Sequence, residues 1–223
     1  MRRALLLIVG LGTGGLLLLS LYVSAAAQYT YTQQTTAELL PADIEGTALR
    51  AVQLAAYEGP FWEDGTGEET VDIAALVLEN TGGCFISEGA VVLDWGEDRM
   101  VFELSWLPPG EKVLVLEKNR KPYQEAEDGI CYGWTSACCP ETTEAVSVEQ
   151  AGAASLVFTN RTDDVIPSAA AMYKHYDEES GMYIGGITYS MPVDCLQPGE
   201  MRTVTPWRYT AGYSRVVRVV TAK

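Results

Sequence analysis

Short apolar runs separated by turn residues follow one another along the chain after residue 43. In Val101-Phe102-Glu103-Leu104-Ser105-Trp106 the apolar and polar side chains alternate, which is typical of a β-strand with one face in water. The alternation places Phe102, Leu104 and Trp106 on the buried face. The runs at 112–116 and 216–220 are almost continuously apolar and predict strands in the middle of a sheet. Because no stretch after residue 43 has a long helical period, the pattern predicts an all-β body.

An internal repeat predicts that the body contains one unit twice. Ala75-Leu76-Val77-Leu78-Glu79-Asn80 corresponds to Ser155-Leu156-Val157-Phe158-Thr159-Asn160. Further on, Leu107-Pro108-Pro109-Gly110-Glu111 corresponds to Leu196-Gln197-Pro198-Gly199-Glu200. The interval from the Asn to the Pro-Gly pair is 29 residues in the first copy and 38 in the second. The extra length predicts a longer hairpin around residues 176–181.

The repeated residues are interpreted as structural. Proline fixes φ near −65° and glycine accepts positive φ, so each Pro-Gly pair predicts a type II turn between strands. Asparagine ends a strand well because its side chain can bond nearby backbone and tolerates a left-handed conformation. The predicted turn and strand-end residues are Asn80, Pro109, Gly110, Asn160, Pro198 and Gly199.

The spacing of strands and turns predicts two tandem immunoglobulin-like β-sandwich modules. We place the first module at 44–140 and the second at 144–223. The polar, Thr- and Gln-rich segment 28–43 is predicted to be a linker.

The first 27 residues predict export. Two arginines precede Ala4 to Val23, a run of twenty residues without a charge, which is long enough to span a bilayer as a helix. The arginines keep the N-terminus cytoplasmic, so the body lies outside. Ala25-Ala26-Ala27 suits a signal peptidase that cleaves before Gln28. A cleaved signal peptide and a retained N-terminal anchor helix both remain open, and the protein is either secreted or anchored to the membrane.

Composition excludes several functions. The chain has 15 Lys and Arg against 30 Asp and Glu, a net charge of −15, which argues against nucleic-acid binding because phosphate neutralisation requires clustered basic residues. There is one histidine, His175, and no Gly-x-Ser-x-Gly motif. We therefore expect no catalytic residues, no cofactor and no metal site.

Five cysteines lie at positions 84, 131, 138, 139 and 195. An exported chain can form disulfides, and the odd number leaves at least one thiol. The candidates for bridging are Cys84, Cys131, Cys138 and Cys139. We expect Cys84 to pair with one of the other three, whereas a Cys138–Cys139 bridge is disfavoured by the geometry of adjacent residues. A zinc site is the alternative, but no Cys-x2-Cys pair is present.

Aromatic residues keep carbohydrate binding open as a function. The chain has five tryptophans and twelve tyrosines. Trp62, beside Phe61 and the acidic run 63–69, is predicted to be the most exposed ligand contact. In Gly185-Gly186, no helix follows the glycines, so the pair predicts a β-bulge rather than a phosphate loop.

The order of a strand ending in Asn, a turn, two further strands and a Pro-Gly-Glu turn resembles extracytoplasmic β-sandwich modules of the FxLYD type and related domains of Gram-positive bacteria. The resemblance covers about residues 44–140 and again 144–223. Val92-Leu93-Asp94 and Tyr176-Asp177 occupy the place of the Phe-x-Leu-Tyr-Asp core, without its leading Phe. Such a resemblance implies a secreted or membrane-tethered module that contacts envelope components, and it supplies no catalytic residues.

The sequence therefore predicts an exported, non-catalytic binding or scaffolding protein of the bacterial cell envelope. Its partner would be an envelope protein or polysaccharide, with membrane contact through the N-terminal segment if that segment is not cleaved. The alternative is a carbohydrate-binding module that uses exposed aromatic residues.

Overall fold

A computed structural model describes residues 40–95, 98–125, 129–138 and 144–222. The predicted leader, 1–27, and most of the predicted linker lie outside them. The described residues form thirteen strands and no helix, so the all-β prediction is confirmed. The strands are β1 Ala42–Asp43, β2 Leu49–Phe61, β3 Glu68–Asn80, β4 Phe85–Trp95, β5 Asp98–Leu107, β6 Lys112–Leu116, β7 Gly129–Cys138, β8 Val146–Ala151, β9 Ser155–Asn160, β10 Ile166–Asp177, β11 Met182–Leu196, β12 Met201–Val204 and β13 Ser214–Ala222.

The strands pair into three sheets. One sheet has seven strands in the order β1-β2-β3-β6-β11-β10-β13, and two sheets have three strands each, in the orders β12-β9-β8 and β5-β4-β7. Within the seven-stranded sheet, β6 and β11 are parallel, with Val113 opposite Tyr183 and Leu114 opposite Ile184. Their pairing joins strands from the two copies of the sequence repeat into one sheet.

The two copies have matching strand orders. We call β2–β7 the first repeat and β8–β13 the second repeat. In the first repeat, β2-β3-β6 are neighbours and β4 lies between β5 and β7. In the second repeat, β8-β9-β12 are neighbours and β10 lies between β11 and β13. Each three-strand group of one repeat therefore has a counterpart with the same connectivity in the other.

Two large groups of buried apolar side chains lie among the described residues, and the one centred on the first repeat also includes Tyr176 and Tyr183 of the second. In the first repeat Leu76, Leu78, Val91, Leu93 and other residues pack together with little or no exposed area. In the second repeat Phe158, Tyr173 and Leu196 belong to a separate buried group. Burying side chains of this size stabilises the fold by roughly 1.5–3 kcal/mol each relative to leaving them exposed.

The repeated asparagines make the same hydrogen bonds. Asn80 Nδ2 donates to the carbonyls of Cys84, Leu107 and Pro108 at 2.8, 3.0 and 3.1 Å. Asn160 Nδ2 donates to three carbonyls at the corresponding positions, also at 2.8, 3.0 and 3.1 Å. Both side chains are fully buried. Each asparagine therefore joins the end of its strand to the chain just before the Pro-Gly turn, which lies 27 to 37 residues further on.

In each repeat, the last of the three carbonyls bonded by the asparagine begins a tight turn. Glu111 N donates to Pro108 O and Glu200 N donates to Gln197 O, closing the two four-residue turns. Gly110 and Gly199, at the third position of each turn, have φ of 72° and 69°. Positive φ at this position is what a type II turn requires.

Other local predictions have mixed outcomes. The hairpin predicted around 176–181 is confirmed, since Asp177 pairs with Met182 where β10 turns into β11. In β5, Phe102 and Leu104 are buried as predicted, but Trp106 is only partly buried and Leu107 takes the core position. The cause is a positive φ of 50° at Trp106, which breaks the alternation of the strand.

The folded body also begins earlier than predicted. Ala42 and Asp43, assigned to the linker, form β1 and pair with Ala51 and Arg50 of β2. Asp43 accepts a 2.7 Å bond from Arg50 Nε. The polar composition of this segment hid a short edge strand.

Candidate ligand groove

The outer face of the sheet β5-β4-β7 carries a row of exposed side chains. On β7, Ile130, Tyr132 and Trp134 alternate with less exposed residues, and they are 66%, 40% and 55% exposed. The register places Trp134 opposite Ala90 of β4 and Ala90 opposite Glu103 of β5. Because Ala90 is small, the larger side chains of Trp134 and Glu103 rise on either side of a trough. Most exposed large apolar residues of a β-protein are isolated, so three on one strand face mark a contact surface.

A groove of about 320 Å³ lies along this trough, a size at the lower end of the range for small-molecule sites. Its lining residues come from both repeats and are Glu88, Gly89, Glu103, Leu104, Ser105, Trp134, Gly186 and Ile187. Trp134 forms the wall contributed by the first repeat, and the Gly186–Ile187 segment of β11 forms the wall contributed by the second. The groove therefore exists only where the two repeats meet.

A buried lysine holds the Gly186–Ile187 wall in place. Lys174 Nζ donates to the carbonyls of Gly186 at 2.7 Å, Ile187 at 2.8 Å and Ser105 at 3.1 Å, and it lies 3.3 Å from Thr188 Oγ1. The side chain has no exposed area. Burial lowers the pKa of Lys174 to about 7. Since its donors are directed at backbone carbonyls of both repeats, this lysine fixes the position of one wall relative to the other.

Glu63 contacts the same wall from the opposite side. Its carboxylate accepts from Gly186 N at 2.9 Å and from Leu116 N at 2.8 Å. Burial raises the pKa of Glu63 to about 7, although the two backbone N–H groups and the nearby Lys174 oppose the rise. Gly186 is thus bonded at its N–H by Glu63 and at its carbonyl by Lys174.

The Gly185–Thr188 segment is the bulge that the glycine pair predicts. Tyr173 pairs with Tyr189 and His175 pairs with Ile184, so a single residue of β10 lies opposite four of β11. A Cβ at Gly186 would lie 1.8 Å from the carbonyl oxygen of Glu103. Only glycine allows β11 to approach β5 this closely, and the bulge wraps its carbonyls around the ammonium of Lys174.

A second cavity of about 210 Å³ adjoins the groove. It shares Glu103 and Ile187 with the groove and is otherwise lined by Phe61, Glu63, Asp64, Leu116 and Lys118. Lys118 Nζ lies 2.6 Å from Glu103 Oε1, so a salt bridge stands at the boundary between the two spaces.

The prediction that Trp62 is the most exposed of the candidate ligand contacts is wrong, while ligand contact by Trp62 and Phe61 stays a prediction. Phe61 is 2% exposed and packs in a small core beneath the guanidinium of Arg120, 4.4 Å from its ring. Trp62 is partly buried and stacks on His175 with ring centroids 4.0 Å apart. Both residues lie at the end of the β2–β3 hairpin, which packs against the second repeat, and this contact is not visible in the local sequence.

The sequence reasoning missed Trp134 and Tyr132. Alternation at the start of β7 was the available signal, because positions 130, 132 and 134 are Ile, Tyr and Trp. Gly133 and the cysteines between them hide this period when the segment is read for hydrophobicity alone.

The structure tests part of the disulfide prediction. Cys131, Cys138 and Cys195 are free thiols, which contradicts bridging through Cys131 or Cys138. Burial raises the pKa of the Cys131 thiol to about 11, because this side chain faces the core behind the exposed row of β7. Cys84 is disulfide-bonded, and Cys139 lies outside the described residues, so the pairing of Cys84 with Cys139 stays a prediction.

Two kinds of feature are absent from the described residues. No group of three or more His, Cys, Asp or Glu side chains in this part of the chain is placed to hold a metal ion. Among the same residues there is no helix with the length and apolar character needed to cross a bilayer.

No protein-family model matches this chain. No curated protein matches it at a significant level either. The resemblance to modules of the FxLYD type therefore rests on the residues that carry it.

Proposed function

We propose that this chain is an exported, non-catalytic binding protein of the bacterial cell envelope, with the groove beside Trp134 as its ligand site. It would comprise two tandem β-sandwich modules in the immunoglobulin-like manner. The matching strand orders and the equivalent Asn80 and Asn160 hydrogen bonds support two copies of one module. The uncharged N-terminal run supports export.

The exposure of Trp134 carries the assignment of the site. An indole that is 55% exposed at the wall of a concave surface leaves a large apolar area in water, which ligand contact would remove. Trp and Tyr are the residues that most often dominate binding energies at contact surfaces.

The state of the polar groups beside the groove supports binding rather than catalysis. Lys174 Nζ is fully buried and donates to three backbone carbonyls, so its nitrogen is directed at the backbone and not at the groove. Ser105 Oγ lies 3.0 Å from Thr188 Oγ1 and 3.3 Å from the carbonyl of Gly186. Thr188 Oγ1 donates its own proton to the carbonyl of Ser105 at 2.9 Å, and in its 3.3 Å contact with Lys174 Nζ the lysine is the donor, which is not the arrangement of an activated nucleophile.

A carbohydrate ligand is the second candidate, and one observation favours it. Tyr132 and Trp134 are exposed on the same face of β7, next to carboxylates that can accept hydrogen bonds from sugar hydroxyls. A scaffolding contact with an envelope protein would use the same surface.

Co-sedimentation with purified cell walls tests this function. The protein is incubated with walls before and after protease treatment, as wild type, Trp134→Ala and Ile130→Ala. Ile130 is the matched control, because it is also exposed on the same strand face (66% against 55% for Trp134) but does not line the groove. We expect Trp134→Ala to lose most of the binding and Ile130→Ala to keep it.

The outcomes separate the candidates. Binding that survives protease treatment indicates a polysaccharide, and binding that is lost indicates a protein partner. Equal sedimentation of wild type and Trp134→Ala would contradict the groove as the site.

A further inference from the structure

The chemistry of the groove indicates what kind of ligand it accepts, and this inference rests on the proposed function. Two carboxylates, Glu88 and Glu103, line the groove with Trp134. Glu88 lies two residues before Ala90 on β4. Because alternate residues of a strand share a face, the two side chains lie on the same outward face. An aromatic wall and two acids thus converge on one concave surface.

The acids are available to a ligand. Among the described residues, no hydrogen bond or ion pair engages the Glu88 carboxylate. Glu103 uses Oε1 to bind Lys118 at 2.6 Å, and its Oε2 has no partner within the same part of the chain. Each carboxylate can therefore accept hydrogen bonds from a bound group.

The sign of the charge selects among ligands. Glu103 is partly neutralised by Lys118, but Glu88 is not, and the whole chain has a net charge of −15. Anionic ligands such as uronate or phosphate polymers would be repelled from this groove. A protonated amine would be attracted by Glu88 and by the face of the Trp134 ring, which favours cations.

We propose that the groove between Trp134, Glu88 and Glu103 binds glycans that carry free, protonated amino groups. A sugar ring offers a flat, rigid C–H face that covers the indole, and its amino group reaches a carboxylate. The spacing of strands places the backbones of Trp134 and Glu103 about 10 Å apart, with β4 between them, so one ring fits over Ala90.

A basic peptide could also pair with the carboxylates of Glu88 and Glu103, but it would fit the groove less well than a sugar ring. Lysine side chains are flexible, and ordering them on binding costs conformational entropy. Ala90, the residue between Trp134 and Glu103, has a small apolar side chain, which leaves room for a rigid ring above it. Peptide binding is therefore an outcome of the test and not the proposal.

Titration calorimetry on the full exported protein tests the inference. The probes are the tetrasaccharide of glucosamine, the tetrasaccharide of N-acetylglucosamine and a lysine tetrapeptide. The variants are Trp134→Ala, Glu88→Gln and Glu103→Gln, with Glu45→Gln as the control. Glu45 is exposed and outside the groove, so its variant changes net charge equally.

We expect the glucosamine tetramer to bind at least about tenfold more tightly than the acetylated one, as charge-assisted hydrogen bonds allow. Glu88→Gln should weaken its binding about tenfold and reduce its dependence on salt. Glu45→Gln should leave both unchanged. Trp134→Ala should weaken the binding of the glucosamine tetramer at least as much as Glu88→Gln does.

Three results would overturn the inference. Equal affinity for the two tetramers, with loss in Trp134→Ala, rejects the amine preference and leaves the proposed function standing. Equal or tighter binding of the lysine peptide assigns the groove to protein ligands. No saccharide binding, together with unchanged wall binding of Trp134→Ala, rejects both the inference and the proposed function.

Discussion

Each repeat has a corner at which a buried asparagine, Asn80 or Asn160, bonds the chain just before the Pro-Gly turn. The two repeats share this corner but differ in the length of their hairpins. In the first repeat, β2 and β3 have 13 residues each, whereas β8 and β9 in the second have six each. The additional length of the first hairpin carries Trp62 and Glu63 to the second repeat, where Glu63 binds Gly186. The corner is common to both copies, whereas the longer β2–β3 hairpin is found in the first copy alone and forms a contact with the second.

The second repeat differs in the other hairpin. β10 and β11 have 12 and 15 residues, against 11 and 10 for β4 and β5. The longer hairpin contains the bulge around Lys174 and the residues of β11 that pair with β6. Both additions therefore meet at the same place, and the groove is formed there. The segments in which the two repeats differ in length are therefore the segments that meet at the groove.

Replacing Lys174, whose side chain bonds carbonyls of both repeats, should have the largest effect on the free energy of unfolding. In Lys174→Met, the carbonyls of Ser105, Gly186 and Ile187 lose their donor and Glu63 loses a nearby positive charge. We expect a loss of about 3–5 kcal/mol in the free energy of unfolding, measured by urea denaturation. Lys112→Met, at an exposed position of β6, is the control and should change stability by less than about 0.5 kcal/mol. A loss in Lys174→Met no greater than in this control would show that the junction lysine is not a stabilising contact.

Loss of either corner asparagine should have the next largest effect, and the two should be equal. Asn80→Ala and Asn160→Ala each leave three carbonyls without their side-chain donor. We expect each variant to lose about 1–3 kcal/mol, since leaving buried acceptors unpaired costs that amount. Urea denaturation of the two variants under identical conditions measures the difference. Values that differ by more than about 2 kcal/mol would contradict the equivalence of the corners.

The turn glycines should behave as a matched pair with a smaller effect. Alanine at Gly110 or Gly199 meets no atom within 4 Å, so the positive φ alone determines the cost. We expect each substitution to cost about 1–2 kcal/mol. Gly83→Ala is the control, because its added Cβ also meets no atom and its φ is not positive. That variant should be neutral or slightly more stable in thermal unfolding, and a loss equal to that of the turn variants would refute the φ argument.

The pH dependence of stability should carry a contribution from Glu63. Its pKa is raised by burial to about 7 in the folded protein, from an ordinary value of 4.5. Between these values the folded state holds a proton that the unfolded state has lost, so the Glu63 contribution to stability falls as the pH rises from about 4.5 to about 7. Urea denaturation at pH 5 and pH 7 should show a steeper fall in wild type than in Glu63→Gln. Parallel pH profiles would mean that burial does not raise this pKa.

Local patterns predicted the parts of the fold that depend on neighbouring residues. Alternation located the β5 strand and the buried positions of Phe102 and Leu104, and Pro-Gly located both turns. The role of Asn80 was predicted only in part, because its side chain bonds Leu107 O, 27 residues away, rather than its own backbone. The candidate site was not predicted, since Trp134 and Gly186 belong to different repeats.

The amino-acid sequence alone established that the body is all-β and where its two Pro-Gly turns fall, because strand alternation and turn geometry depend on a few neighbouring residues. It could not settle which aromatic side chains face water. Phe61 is buried because it packs in a small core with Ile73, Ala75 and Leu116, whereas Trp134 stays 55% exposed at the wall of the groove. The groove itself depends on contacts such as that of Glu63 with Gly186, 123 residues apart, and such contacts exist only once the sheets have assembled.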